Sequence, residues 1–197
     1  GEMGEHWHKE ALFEHKKNSF LDYITVANHL IEQKYTYKGG ICFLGGSAGG
    51  LTGTAVANMA PELFFSMLLL VPFCDPLTTM LNEKLPLTPS EWEIWGNPIK
   101  SKKYFESILS YSPYNNLKRT SYPPMLVTTS LFDSRVLYSE PIKYIAKLRE
   151  LKSDKNLQLL KCKMKAASHG GPSGRDNSIK ELAEEFSFIL KTAGIKN

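Results

Sequence analysis

The sequence has few cysteines, no long apolar run, no strong excess of charge of one sign and no internal repeat, and each shortage closes off a class of answer. Its three cysteines (Cys42, Cys74, Cys162) show no C-x-x-C spacing. An odd count in apolar or strand-like surroundings fits a reducing compartment, so the expected location is cytoplasmic. The longest apolar stretch, from Leu63 to Cys74, is broken by Ser66 and Pro72 and is too short to span a bilayer. No signal-peptide pattern precedes the first element. The net charge is only +4, with scattered lysines. The densest group, Lys161, Lys163 and Lys165, alternates along an expected strand as its solvated face, which argues against nucleic-acid binding. His6-Trp7-His8 has no third ligand at metal spacing, so loop packing is the expectation and no metal is assigned.

What remains is a chain of single-domain length, 197 residues with 42% hydrophobic and 22% charged, ordinary for a globular fold. Its organising stretch is Ile41-Cys42-Phe43-Leu44-Gly45-Gly46-Ser47-Ala48-Gly49-Gly50. Four apolar residues run into a glycine-flanked serine, and Leu51, Val56 and Met59 follow at helical spacing: a buried strand, a sharp turn and a helix. Gly45 to Gly49 also fits the G-x-S-x-G nucleophile elbow, in which the serine sits on a strained strand-to-helix turn. The backbone N–H of Ala48 would then face a developing oxyanion. Glycine-rich turns of this shape also bind phosphates or simply turn, so the motif needs support from elsewhere.

Along the chain, residues 1–17 carry no period and are expected to be a loop. Ser19 to Asp22 resembles a capping box opening a helix lined by Phe20, Ile24, Ala27 and Ile31. Further strands are expected at 66–71, 125–129 and 157–164, and helices at 51–60, from Pro141, and at 178–192 with Ile179, Leu182, Ala183, Phe186 and Leu190 on one face. The excursion from Pro72 to Asn116 offers one clear helical piece, 101–110. Strands alternating with helices imply a parallel sheet, with ligands beyond the carboxyl ends of the strands.

Those ends carry chemistry. Asp133 follows the third strand and His169 the fourth, so the chain order is Ser47, Asp133, His169. That is the order of α/β-hydrolases. A serine hydroxyl needs a base within hydrogen-bond reach, a histidine can take its proton, and a carboxylate on the other ring nitrogen fixes the tautomer. Gly170-Gly171 would keep the histidine loop free of bulk.

The chain resembles the catalytic domain of the prolyl oligopeptidase superfamily (S9 serine peptidases), and within it the oligopeptidase B branch. The resemblance rests on the elbow, Val71-Pro72-Phe73, Thr78 to Leu81, Pro86-Leu87-Thr88, Glu91-x-Glu93-x-Trp95-Gly96-Asn97-Pro98, Tyr111 to Tyr114, Asp133-Ser134-Arg135-Val136 and His169-Gly170-Gly171. It implies that residues 1–197 are the C-terminal part of such a domain. The fold would be a partial α/β-hydrolase, a mostly parallel sheet flanked by helices, without the N-terminal strands and β-propeller of longer members. It implies a cofactor-independent serine endopeptidase cleaving short peptides after arginine or lysine. Ser47, Asp133 and His169 match its triad, and Ala48 serves the oxyanion hole. Glu91 and Glu93 match its acidic pair, and Phe73 an aromatic wall of the same pocket. Arg135, next to Val136, matches the arginine that holds a substrate carbonyl.

Glu91 has another reading, because Thr88-Pro89-Ser90-Glu91 is a good capping box, and residues two apart on a regular helix point to different sides. Two alternatives to the peptidase stand beside it: an inactive remnant serving as an interaction module, and a minimal esterase. The resemblance also implies a partner, the missing N-terminal half or propeller. Without it the strand at 41–44 is expected to be a sheet edge.

Overall fold

Leucine-rich runs bounded by glycine and proline become strands because a parallel sheet covered by helices buries both faces of its strands. The computed structural model describes residues 2–165, 169 and 174–195. Strands β1 (Ile41–Gly46), β2 (Phe64–Leu70), β3 (Met125–Ser130) and β4 (Gln158–Lys163) form one parallel sheet in the order β1-β2-β3-β4. The helices are α1 (Glu5–Lys9), α2 (Asn18–Glu32), α3 (Ala48–Met59), α4 (Pro76–Met80), α5 (Thr88–Trp95), α6 (Lys102–Leu109), α7 (Ser139–Leu151) and α8 (Arg175–Thr192). Among the described residues none is long and apolar enough to cross a membrane.

Strand alternation sorts the core into two layers. Met67, Leu69, Met125 and Val127 face the larger cluster with Phe20, Val56 and Tyr144, while Leu68 and Leu126 face Phe188 of α8. Since β1 has β2 as its one neighbour among the described strands, it is a sheet edge, and Leu44 on it is 61% exposed.

Four local expectations are corrected. Residues 1–17 hold α1 and a 3-10 turn at Phe13–His15; α1 buries nothing and is supported by a Lys9–Glu5 ion pair of 2.8 Å, so no apolar period announces it. Ser19 does not cap α2: the helix begins a residue earlier, and Asn18 Nδ2 instead donates to the Glu10 carbonyl at 2.7 Å. The excursion holds three helices, not one. The five residues of α4 are too short to display a period, and α5, unlike the equally long α6, crowds its apolar residues into one turn around Glu93. On α8 the buried residue is Phe188, while Ile179, Leu182 and Phe186 are each more than half exposed (53%, 52% and 53%). In this orientation Phe188 packs on Leu68 and Leu126, and Glu181 and Glu184 pair with Lys163 and Lys161 of β4, so these lysines are not a free solvated face.

Candidate active site

The elbow forms as the glycines dictate. Ser47 sits between β1 and α3 at φ 54°, ψ −121°, a backbone region costly for a side chain. Its N–H donates to the Leu70 carbonyl at 2.9 Å, and its own carbonyl accepts from Phe73 N–H at 3.1 Å, so the end of β2 is tied to the elbow. A Cβ at Gly45 would lie 2.8 Å from the Gly49 carbonyl oxygen, and one at Gly50 would lie 2.5 Å from Pro72 Cα. Small residues at these two positions are what let the chain pass.

Asp133 lies just past β3 and is 5% exposed. One carboxylate oxygen accepts from the N–H groups of Arg135 (2.9 Å) and Val136 (3.0 Å). The other is 2.8 Å from Nδ1 of His169, which arrives from beyond β4. Three bonds hold the carboxylate in one orientation, with the imidazole fixed on its free side. Among the described residues no hydrogen bond joins the Ser47 hydroxyl to that imidazole; in unliganded sites such bonds commonly tighten only around substrate. Gly170 and Gly171 lie outside the described residues.

A cavity of about 190 Å³ opens at the elbow. Ser47, Ala48, Phe73, Glu91, Arg135 and Val136 all line it. Glu93 does not: it is exposed on α5, because a step of two residues on a regular helix turns it away from Glu91.

The walls are built from the excursion. Trp95 packs edge-on against Phe73, with ring centroids 5.5 Å apart, and its indole N–H donates to Glu91 Oε2 at 2.7 Å. The capping role for Glu91 is therefore not taken up; the Thr88 hydroxyl donates to the Thr79 carbonyl at 3.0 Å, and no side chain caps α5. Trp92 Nε1 donates to the Met80 carbonyl at 3.1 Å, fastening α5 to α4. Lys16 holds its ammonium 4.6 Å from the Trp95 ring centre; burial pulls its pKa down, and the charge of Glu91 works the other way.

Sequence reasoning missed Glu140, which lines the same cavity and is 3% exposed. Its Oε2 accepts from Asp75 N–H at 2.8 Å and its Oε1 from the Thr79 hydroxyl at 2.5 Å. Burial pushes its pKa up to about 7 against the lowering effect of those two bonds. Asp75, fully buried, pairs with Lys143 at 2.6 Å. The available signal was position: Glu140 shares the buried side of α7 with Tyr144, Ile145 and Leu148, where a carboxylate is out of place. Among the described residues, no group of three or more histidine, cysteine or acidic side chains is placed to hold a metal.

Comparison with known proteins fits this geometry. Residues 1–196 match the prolyl oligopeptidase family. Protease 2 of Moraxella lacunata is 47% identical over 99% of this chain and 28% of its own length. Dipeptidyl aminopeptidase BI of Pseudoxanthomonas mexicana is 46% identical over 98% of this chain and 27% of its own. The chain thus spans little more than a quarter of the length of these relatives. The structure of oligopeptidase B from Trypanosoma brucei with covalently bound antipain superposes on all of this chain and 28% of that one, at a TM-score of 0.95 and 41% identity. Oligopeptidase B from Leishmania major covers 92% of this chain and 25% of its own, at 0.89 and 42%. An elbow serine, an aspartate–histidine pair at neighbouring strand ends and a match along nearly the whole sequence lead to one assignment: the chain belongs to the prolyl oligopeptidase family of serine-type peptidases.

Proposed function

We propose that this chain is the C-terminal part of a serine oligopeptidase catalytic domain, cleaving short peptides after arginine or lysine through Ser47, His169 and Asp133. The observation that carries the reading is the 2.8 Å contact between His169 Nδ1 and buried Asp133, at the same rim as the strained Ser47 and its acidic cavity.

In this scheme Nε2 of His169 takes the proton of Ser47 as Oγ attacks the scissile carbonyl carbon. Negative charge gathers on the carbonyl oxygen, facing Ala48 N–H. The imidazolium, stabilised by Asp133, returns the proton to the leaving amine, and an acyl-enzyme remains. Water then attacks the acyl carbon, with His169 again as base, and Ser47 is released. The substrate's cationic side chain enters the cavity past the packed Phe73–Trp95 wall toward Glu91, because a charge leaving water needs a carboxylate partner. Arg135 binds a neighbouring substrate carbonyl.

The proposal includes a partner: a further segment pairing along the open edge of β1. The relatives are several times longer than the matched region, and Leu44 on that edge is 61% exposed.

The test is a fluorophosphonate probe with peptide and ester substrates. Labelling of the wild type, lost in Ser47→Ala, with arginyl and lysyl amides hydrolysed faster than neutral ones, is the expected result. No labelling of a folded chain, alone or with the remaining part of the domain supplied, would leave only the inactive-module reading. Labelling with equal turnover of simple esters would favour the esterase.

A further inference from the structure

We propose that Glu140, and not Glu93, supplies the second carboxylate that a basic substrate side chain meets in the cavity, beside Glu91. The inference rests on the basic-pocket reading above and deepens it.

Geometry separates the two glutamates. Glu93 shares α5 with Glu91, is exposed, and lines no part of the cavity. Glu140 comes from α7, so helical spacing does not constrain it relative to Glu91, and it lines the cavity while 3% exposed. Its two oxygens accept one donor each, from Thr79 Oγ1 and Asp75 N–H. A carboxylate has about four acceptor positions, so capacity remains for a guanidinium or ammonium.

The groups around it favour an arriving cation. Buried Asp75 pairs at 2.6 Å with Lys143, which shares a helix with Glu140; the two act on Glu140 in opposite directions, and the Lys143 ammonium is engaged by Asp75 and not by Glu140. The Cys74 thiol adjoins the cluster, with its own pKa pushed well up by burial and then by Glu140. Within the cavity lining stand Glu91 and Arg135, of opposite sign. Burial biases the empty Glu140 toward its protonated form, with a pKa of about 7. A bound cation reverses that bias, so binding expels a proton.

The measurement is benzamidine binding to the 197-residue chain by calorimetry, with uncharged benzamide as control, for the wild type and Glu91→Gln, Glu93→Gln and Glu140→Gln. We expect a loss of at least about tenfold in benzamidine affinity for the 91 and 140 variants. Glu93→Gln should change nothing, and benzamide should bind all four alike. In paired buffers of different ionisation enthalpy near pH 6, wild type should release a proton on binding benzamidine. That second readout decides the matter should Glu140→Gln fail to fold. If Glu140→Gln binds like wild type, or weakens benzamide and benzamidine equally, the inference fails while a sensitive Glu91→Gln keeps the basic pocket standing. If Glu91→Gln also binds unchanged, the basic pocket itself fails.

Discussion

Trp95 donates its indole N–H to the Glu91 carboxylate across 2.7 Å, one turn back along α5, while Lys16 holds its ammonium 4.6 Å from the centre of the same ring. One side chain thus forms a wall of the cavity and aims its carboxylate. Trp95→Phe keeps an aromatic ring near Phe73 but removes the donor and weakens the cation–π contact. The expected cost is about 1–2 kcal/mol in urea denaturation, with a several-fold loss of benzamidine affinity. Unchanged affinity would mean that Glu91 holds its direction without the indole.

The backbone of Ser47, at φ 54° and ψ −121°, predicts an unusual rank among substitutions there. Glycine adopts such angles at little cost, whereas alanine inherits the strain. Ser47→Gly should therefore be more stable than Ser47→Ala by about 1 kcal/mol, although glycine normally loses backbone entropy on folding. Both should lose fluorophosphonate labelling. Equal melting temperatures for the two would show that the elbow is unstrained.

The parts of this fold legible in the sequence were those with a period long enough to count. All four strands, α2, α3 and α7 lie within a few residues of their expected positions, because each presents an apolar pattern to one sheet. The Asp133–His169 pairing was legible too, since topology alone sends the ends of neighbouring parallel strands to one rim. The short α1, α4 and α5 were not: five residues cannot show a 3.6 period, and the eight of α5 crowd Trp92, Ile94 and Trp95 into one turn around Glu93, whereas the equally short α6 sets Tyr104, Phe105, Ile108 and Leu109 on one face. The face of α8 was misjudged because apolar spacing along the helix does not say which apolar residues meet the sheet: Phe188 packs on Leu68 and Leu126, with Glu181 and Glu184 paired to Lys163 and Lys161 of β4. Glu140 escaped because its partners Asp75 and Thr79 are about sixty residues away, and no local pattern announces a long-range hydrogen bond.

Adjacent glycines of α3 should respond in opposite directions to the same substitution. A Cβ at Gly49 meets nothing within 4 Å, so Gly49→Ala should gain up to about 1 kcal/mol from helix propensity. A Cβ at Gly50 would lie 2.5 Å from Pro72 Cα and 2.6 Å from Pro72 Cβ, and backbone cannot step aside cheaply. Overpacking there outweighs the propensity gain, and Gly50→Ala should lose about 1–2 kcal/mol. Because Pro72 leads directly into Phe73, the cavity wall should shift as well. Chemical denaturation of the pair gives the sign of each, and a gain at both positions would refute the close approach.

Glu140 should leave a signature in the pH dependence of stability even with no ligand present. Its pKa rises from 4.5 in the unfolded chain to about 7 when folded, so the folded state favours the protonated form. The stabilisation this confers is complete below about pH 4.5 and is lost as pH rises through about 7, amounting to about 3 kcal/mol over the interval. Glu140→Gln cannot ionise and escapes that loss. Urea denaturation of both proteins from pH 5 to pH 8 should show the variant gaining on wild type throughout the rise and levelling off above pH 7.5, other groups cancelling in the difference. Saturating benzamidine should flatten the trend, since the ionised carboxylate then has its cation. A difference that stays constant with pH would mean that the carboxyl titrates alike in the folded and unfolded chain, and that its burial beside Asp75 is already compensated by Lys143.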